Sequence, residues 1–148
     1  MNHALKAFIL KLLKRNKTMS FATVRGDGYP QATTVAYAND GLSIYFCCDR
    51  TSQKVRNLRR SHKVSLTIDR DYKNWSRIKG LSMAANATVL SNPVEVKHAF
   101  QLLAHQFREM RGMPGEDIAN LAIVKVAPKM FSVLNYSKGF DHADLIKV

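Results

Sequence analysis

The spacing of apolar residues predicts that the chain begins with a helix. Apolar side chains recur at three- and four-residue intervals from Leu5 to Leu13, so we predict a helix over residues 3–17. Lysine and arginine side chains occupy much of its remaining surface. A basic amphipathic helix of this kind either covers the open end of a barrel or lies on a membrane surface, and the first arrangement is the more common one in a compact domain.

After this helix the period changes to that of strands. β-Branched and apolar residues predict strands at residues 21–25, 30–38 and 42–48. Glycine-containing turns at 26–28 and 39–41 separate these strands. Because short turns connect antiparallel neighbours, we predict that the three strands form an antiparallel meander.

The rest of the chain alternates between helices and short strands. One helix is predicted at residues 51–60, with Val55 and Leu58 buried, and another at residues 92–110, with Val94 among its inward residues. Further strands are predicted at residues 64–68, 78–90, 121–126 and 130–136, the last two being separated at Pro128.

This set of elements predicts a mainly β fold. Six to seven antiparallel strands with three or four helices fit a Greek-key barrel whose openings are covered by helices. No strand is predicted in the polar tail after residue 136, and no linker or internal repeat divides the chain. We therefore predict one domain over residues 1–148, a length that suits a single core.

Composition narrows the class of protein. No apolar run approaches the ~20 residues that a membrane span needs, and the short apolar stretch near the N-terminus lacks the features of a secretory signal, so we expect a cytoplasmic protein. The formal net charge of +12 favours an anionic partner, which is a nucleotide, a nucleic acid or an acidic membrane. The net charge alone does not distinguish these partners, so the positions of the charged residues have to be considered.

The two cysteines, Cys47 and Cys48, are adjacent in the third predicted strand. Neighbouring cysteines rarely form a disulfide, because the geometry is strained. We interpret them as small apolar residues on opposite faces of the strand. The five histidines have no close metal-binding spacing, so no metal site is predicted.

The segment from Asp49 to Lys54 has the pattern of an anion site. A strand ends, Thr51 or Ser52 stands where an N-cap belongs, and a short helix follows. A helix start has unpaired N–H groups and partial positive charge, to which Lys54 and Arg50 add full charges, so the segment suits a phosphate. The alternative is a plain capped helix with a solvated lysine. The preceding strands provide backbone amides that suit a flat heteroaromatic ring with imide edges.

Four segments in this order resemble the pyridoxamine 5′-phosphate oxidase-like, FMN-binding split-barrel family. They are Pro30–Tyr37 (PQATTVAY), Ile44–Cys48 (IYFCC), Thr51–Leu58 (TSQKVRNL) and Lys63–Leu66 (KVSL). The similarity covers most of residues 15–140. It implies an antiparallel split barrel that works as a homodimer, with two FMN sites at the interface that are each built from both subunits.

The resemblance also assigns site residues. It implies that one strand lines the isoalloxazine ring and that the next strand continues this ring site. It also implies that the helix start binds the phosphate and that a later strand approaches the ring from elsewhere in the dimer. These positions are Thr33, Thr34 and Val35, then Cys47 and Cys48, then Ser52 and Lys54 with Thr51 beside them, and finally Lys79 and Gly80; Arg50 joins the phosphate site on the residue pattern described above.

Departures from the family pattern bear on the activity. The oxidase has arginines where this chain has Thr33 and Gln53, so Arg50 or Arg56 would have to supply the missing charge. It also has an Arg-x-His near its C-terminus that binds the substrate, whereas this tail has only Asp141-His142. We therefore expect a relative with another substrate, and not a true pyridoxamine phosphate oxidase.

Several functions remain open on these grounds. The first is an FMN-dependent oxidoreductase acting on an unknown small molecule, with no residue singled out as catalytic. The alternatives are a non-enzymatic flavin- or heme-binding or sensing protein and a deazaflavin-dependent reductase; related barrels that degrade heme use a C-terminal histidine, which makes His142 the candidate ligand. The basic residues of 54–63 lie on one short helix without interleaved aromatic residues, so we expect a small anion there and no specific nucleic-acid or membrane partner.

Overall fold

A computed structural model describes all residues from Met1 to Val148. The helices are α1 (His3–Arg15), α2 (Gln53–Arg60), α3 (Pro93–Gln106) and α4 (Gly115–Ala119). The strands are β1 (Thr18–Val24), β2 (Pro30–Ala36), β3 (Ala38–Asp40), β4 (Ser43–Asp49), β5 (Lys63–Ile68), β6 (Lys79–Val89), β7 (Leu121–Asn135) and β8 (Ala143–Lys147). Short 3₁₀ turns lie at Trp75–Arg77, Arg108–Met110 and Tyr136–Lys138.

All eight strands belong to one antiparallel sheet. Its order is β2-β1-β5-β6-β7-β4-β3, and β8 pairs with β7 beside this path. The long strand β7 pairs with β6 on one side. On its other side it pairs with β4 through residues 121–126 and with β8 through residues 130–134.

The two ends of this order, β2 and β3, are consecutive in the chain and separated only by Tyr37. Residues 30–36 pair with β1, whereas residues 38–40 pair with β4. One extended run therefore joins both ends of the sheet and curls it into a barrel. Beyond Tyr37, β2 and β4 are not hydrogen-bonded to each other, so the barrel is split along that line. The predicted mainly β, antiparallel split barrel is confirmed.

The core fills the inside of this barrel. A cluster of 21 buried residues includes Phe21 and Phe46, whose rings meet edge to face with centroids 4.8 Å apart. Buried residues of α1 belong to the same cluster, and the Tyr37 hydroxyl donates to the Leu13 carbonyl at 2.8 Å. The apolar face of α1 is thus used to cover one barrel opening. No helix combines the length and apolar character needed to cross a bilayer.

Four expectations about the elements were wrong. The predicted three-stranded meander does not form, because β2 pairs only with β1 and a separate short strand, β3, pairs with β4. The two predicted last strands are one strand, β7: Pro128 pairs with Ala85, and a bulge at this point accommodates the irregular register without ending the strand. The polar tail contains β8, which pairs with the end of β7 and buries none of its residues, so its sequence has little apolar pattern. Val94 is 77% exposed, because α3 packs through Ala99 and Leu103 instead.

Candidate functional site

The split between β2 and β4 leaves two strand edges without partners. Residues 30–36 of β2 pair only with β1, and residues 46–49 of β4 pair only with β7. Successive residues of an antiparallel strand direct their N–H and C=O groups to alternate sides. About half of the backbone groups on each strand therefore face the split without a strand partner. Such a row of donors and acceptors can bind the polar edge of a planar ring.

The start of α2 lies directly after the end of β4. Ser52 is the N-cap residue, yet neither its hydroxyl nor any other side chain caps the first N–H groups of the helix. These unpaired donors and the helix dipole make the helix start electropositive. Lys54, in the first turn, is half-buried and adds a full charge. The helix start can therefore bind a phosphate group.

Two of the predicted phosphate-site residues make other contacts. The Thr51 hydroxyl and N–H both donate to Asp49 Oδ1, at 2.5 and 2.7 Å, and these bonds lower the pKa of the Asp49 carboxyl. The Arg50 guanidinium donates to the Leu121 carbonyl at 3.1 Å, toward the start of β7. Thr51 thus organises the loop, and the Arg50 side chain is directed away from the split.

The Arg56 side chain is held against the loop that joins β4 to α2. Its guanidinium donates to the Thr51 carbonyl and to Gln53 Oε1, both at 2.7 Å. Of the two arginines considered as substitutes for the family's missing charges, Arg56 is the one whose charge is held against the loop that precedes α2.

The adjacent cysteines face opposite sides of β4. Cys48 lies beside the helix start: the Ser52 hydroxyl is 3.7 Å from its sulfur, and the charge of Lys54 acts on it. Cys47 lies beneath α3, with its sulfur 3.7 Å from that of Met110. Burial raises the pKa of both thiols. Both cysteine side chains are half-buried.

On β2, Thr33 and Val35 point toward the barrel interior and Thr34 points outward to solvent. The Thr33 hydroxyl is buried and has no hydrogen-bond partner. Leaving a buried hydroxyl unpaired costs about 1–3 kcal/mol, so a group that supplies the missing bond would be stabilised there. This orphaned oxygen, on the strand beside the split, fits a site that a ligand completes.

Sequence reasoning missed Asn57, which is only 1% exposed. Its amide nitrogen donates to Thr23 Oγ1 at 2.9 Å and to Gln31 Oε1 at 3.2 Å, and its oxygen accepts from Gln53 at 2.8 Å. These bonds tie α2 to the β1–β2 hairpin and so orient the helix start over the split. The signal was present: a polar residue stands beside Leu58 on the inward face of the helix.

The structure does not bring Lys79 and Gly80 to the helix start. They lie at the first residues of β6, whereas α2 is followed by His62, whose carbonyl accepts from Ala87 near the other end of that strand. At about 3.3 Å per residue, Lys79 and Ala87 are roughly 26 Å apart. Within one chain, these predicted site residues occupy opposite ends of the barrel.

Lys79 and Gly80 have surroundings of their own at the other end of the barrel. A Cβ on Gly80 would lie 3.3 Å from the Ile68 carbonyl, a tight contact with backbone, so the close packing of β5 on β6 favours glycine there. Lys79 lines a cavity of about 400 Å³ that also contains Arg15, Arg70 and Arg77 and no carboxylate.

His142 lies at the same end of the barrel as Lys79. Its carbonyl accepts from Asn135, the residue that pairs with Lys79, and its Nε2 is 3.3 Å from Asp144 Oδ2. This hydrogen bond is the main cause of a lowered pKa at Asp144.

A barrel that closes at Tyr37 and opens between β2 and β4 places the chain among the split-barrel proteins. A family model described as pyridoxamine 5′-phosphate oxidase matches residues 5–133, and the chain belongs to this family. No curated protein sequence matches the chain.

Solved structures show the same fold at low sequence identity. A heme-binding protein from Mycobacterium smegmatis is 14% identical (TM-score 0.82), over 99% of this chain and 59% of that one. HutZ, the heme storage protein from Vibrio cholerae, is 17% identical (TM-score 0.68), over 84% and 90%. A pyridoxinephosphate oxidase family protein from Clostridium acetobutylicum, related to general stress protein 26, is 13% identical (TM-score 0.76), over 100% and 97%.

Proposed function

We propose that this protein binds FMN in the split between β2 and β4 and acts as a flavin-dependent oxidoreductase on a small molecule. One observation supports this most directly: two unpaired strand edges meet an uncapped helix start. The strand edges suit the polar rim of a flavin ring, and the helix start suits its phosphate. The same chain thus offers complementary groups to both ends of FMN.

The protein's own residues would bind and orient the cofactor. Ser52 and the first N–H groups of α2 donate to the phosphate, and Lys54 supplies its charge. Asn57 holds α2 in register with the β1–β2 hairpin, so the phosphate site keeps its distance from the ring site. When bound, FMN supplies the electron and hydride transfer.

We further propose a homodimer. The outer faces of four neighbouring strands carry a row of small, uncharged side chains in register, Thr34, Ser20, Thr67 and Ser82. A face of small side chains permits close approach of a second copy. Such a dimer is also the way in which Lys79 of one subunit can reach the helix start of the other, because a single chain keeps them apart.

The substrate is proposed to differ from pyridoxamine phosphate, since the tail has only Asp141-His142 where the oxidase has the Arg-x-His that binds its substrate. We also propose that the net charge of +12 serves small anions and not nucleic acid. Non-specific DNA binding from charge alone would then be lost near ~0.15 M salt, where charges are screened beyond about 8 Å.

Lys54→Ala tests the cofactor assignment. The variant loses a charged hydrogen bond to phosphate, worth about 1.5–3 kcal/mol, so FMN should bind roughly 10- to 100-fold more weakly. Riboflavin, which lacks the phosphate, should bind as to the wild type. Fluorescence titration of both flavins measures this.

The matched control for this titration is Lys63→Ala, which removes an exposed charge at the start of β5, just after α2. It should leave both affinities unchanged. Equal losses for FMN and riboflavin in Lys54→Ala would rule out a phosphate site at α2.

Heme binding is the second candidate, because two proteins of the same fold bind or store heme. Here the candidate ligand is His142, which is half-buried beside Asp144. The absorption spectrum of the purified protein separates the two candidates, as does hemin titration of His142→Ala. A flavin spectrum with no hemin binding would exclude the heme alternative.

A further inference from the structure

The largest apolar cavity lies outside the proposed flavin site. It has a volume of about 460 Å³ and is formed where α3 crosses the end of β6 and the start of β7. Val96 and Phe100 from α3 face Val89, Ala122 and Ile123 of the two strands, and Ile118 of α4 closes one side. This volume is within the ~300–1,000 Å³ typical of small-molecule pockets, which are also mostly apolar.

Three cationic side chains join this apolar lining: Arg50, Arg59 and Lys97. No carboxylate lines the cavity. Arg59 and Lys97 make no side-chain hydrogen bond or ion pair, and Arg50 bonds only to the neutral carbonyl of Leu121. The positive charge at the cavity is therefore uncompensated within the chain.

An apolar cavity with uncompensated cations matches one kind of ligand: an apolar body that bears a single anionic group. The body would exclude water from Phe100 and the strand residues, and a carboxylate could accept bidentate hydrogen bonds from an arginine. An uncharged ligand of the same shape would gain the burial but leave the cations unpaired.

We propose that this cavity is a binding site for an organic monoanion, such as a medium-chain or aromatic carboxylate. The site is distinct from the flavin site, because β4 lies between the split and the β7 face that lines the cavity. The inference therefore does not depend on FMN binding. The bound anion would pair with Arg50 and Arg59, which lie in the loop and the helix next to the proposed cofactor site.

The test uses the full-length protein with decanoate as the probe and decanol as its uncharged counterpart. Displacement of the fluorescent sulfonate 8-anilinonaphthalene-1-sulfonate reports binding of both. We expect decanoate to bind at least tenfold more tightly than decanol. Val96→Phe fills the cavity and should abolish both, while its thermal melting stays near that of the wild type.

Charge variants separate this site from general attraction to a basic protein. The double variant Arg59→Gln, Lys97→Gln should lose at least tenfold in decanoate affinity and leave decanol unchanged. The control double variant Lys63→Gln, Lys129→Gln removes the same charge from exposed positions outside the cavity and should bind decanoate as the wild type does. Equal losses in the two double variants, unchanged binding by Val96→Phe, or displacement of decanoate by saturating FMN would each overturn the proposal.

Discussion

At the scale of single residues, Asn57 is the side chain on which the geometry of the proposed phosphate site most depends. It is buried among polar partners from two strands and from its own helix, and both its amide nitrogen and its amide oxygen are hydrogen-bonded to them. Thr23, one of its partners, is itself only 3% exposed, so no water replaces the bond if the amide is removed. Lys54 and Ser52 would bind the ligand, but Asn57 determines where they are held.

Asn57→Leu keeps the number of side-chain heavy atoms and the branch at Cγ, and it removes the hydrogen bonds of the amide. The Thr23 hydroxyl would be left buried and unpaired, so we expect a loss of about 1–3 kcal/mol in the free energy of unfolding. FMN affinity should fall more than riboflavin affinity, since the helix start would no longer be held in place. Urea unfolding and flavin titration measure the two effects, and Arg59→Ala, an exposed change on the same helix, should leave both as they are. A variant with wild-type stability would show that this network does not anchor α2.

At the scale of elements, β6 connects the two ends of the barrel. Its first residues pack against the end of β5, where Gly80 lies within close range of the Ile68 carbonyl and the Asp69 side chain. Its last residues pair with the start of β7 beside the apolar cavity. The family pattern links Lys79 and Gly80 to the cofactor, whereas the packing in this chain already explains the glycine.

Gly80→Ala separates these two explanations. The added methyl group meets backbone that cannot move away freely, so we expect a loss of about 1–3 kcal/mol in unfolding free energy. Riboflavin and FMN affinities should be nearly unchanged. Gly115→Ala is the control, because a Cβ there meets nothing within 4 Å and its backbone conformation is ordinary; it should be neutral or stabilise by about 0.4–1 kcal/mol. A large loss of flavin binding in a stable Gly80→Ala protein would favour the cofactor role.

The elements also show what the sequence could and could not predict. Regular alternation located β5, and helical spacing with Val55 and Leu58 located α2, because both patterns are local. β8 was missed because its apolar residues, Leu145 and Ile146, are adjacent and do not alternate, and because none of its residues is buried. The continuity of β7 was missed because Pro128 is a common strand breaker and only the pairing with β6 reveals the bulge.

The candidate site was likewise predictable from the sequence only where it depends on local pattern. The helix start at Ser52 and Lys54 follows from local order along the chain, and so do the opposite faces of Cys47 and Cys48. The separation of Lys79 from this helix start depends on the length of β6 and on which barrel end each strand reaches. No local pattern contains that information.

At the scale of the whole molecule, the proposed dimer would bury the outer face formed by β2, β1, β5 and β6. The face carries small side chains, while the large exposed aromatic residues Trp75 and Phe140 stack on each other elsewhere, with ring centroids 5.6 Å apart. A closely packed interface tolerates a large charged side chain poorly, because burying an unpaired charge is costly.

Ser20→Arg tests this arrangement. The residue is exposed on β1 between Thr34 and Thr67 and is not among the proposed flavin ligands. We expect the wild type to sediment at about twice 16.7 kDa and the variant near the monomer mass, with weaker FMN binding because the site would lose the second subunit. Ser91→Arg, at an exposed position between β6 and α3, should remain dimeric. A wild-type monomer that binds FMN with full affinity would contradict the shared site.

The divided pairing of residues 30–40 also determines how fast individual amides exchange with solvent. Along β2, amides directed to β1 are hydrogen-bonded, whereas the intervening ones face the split. Hydrogen exchange resolved by residue should therefore alternate between slow and fast with a period of two. A flavin ring in the split should slow only the fast set, and riboflavin should do so as well as FMN. Uniform exchange along the strand in the free protein would mean that its outer edge is already bonded.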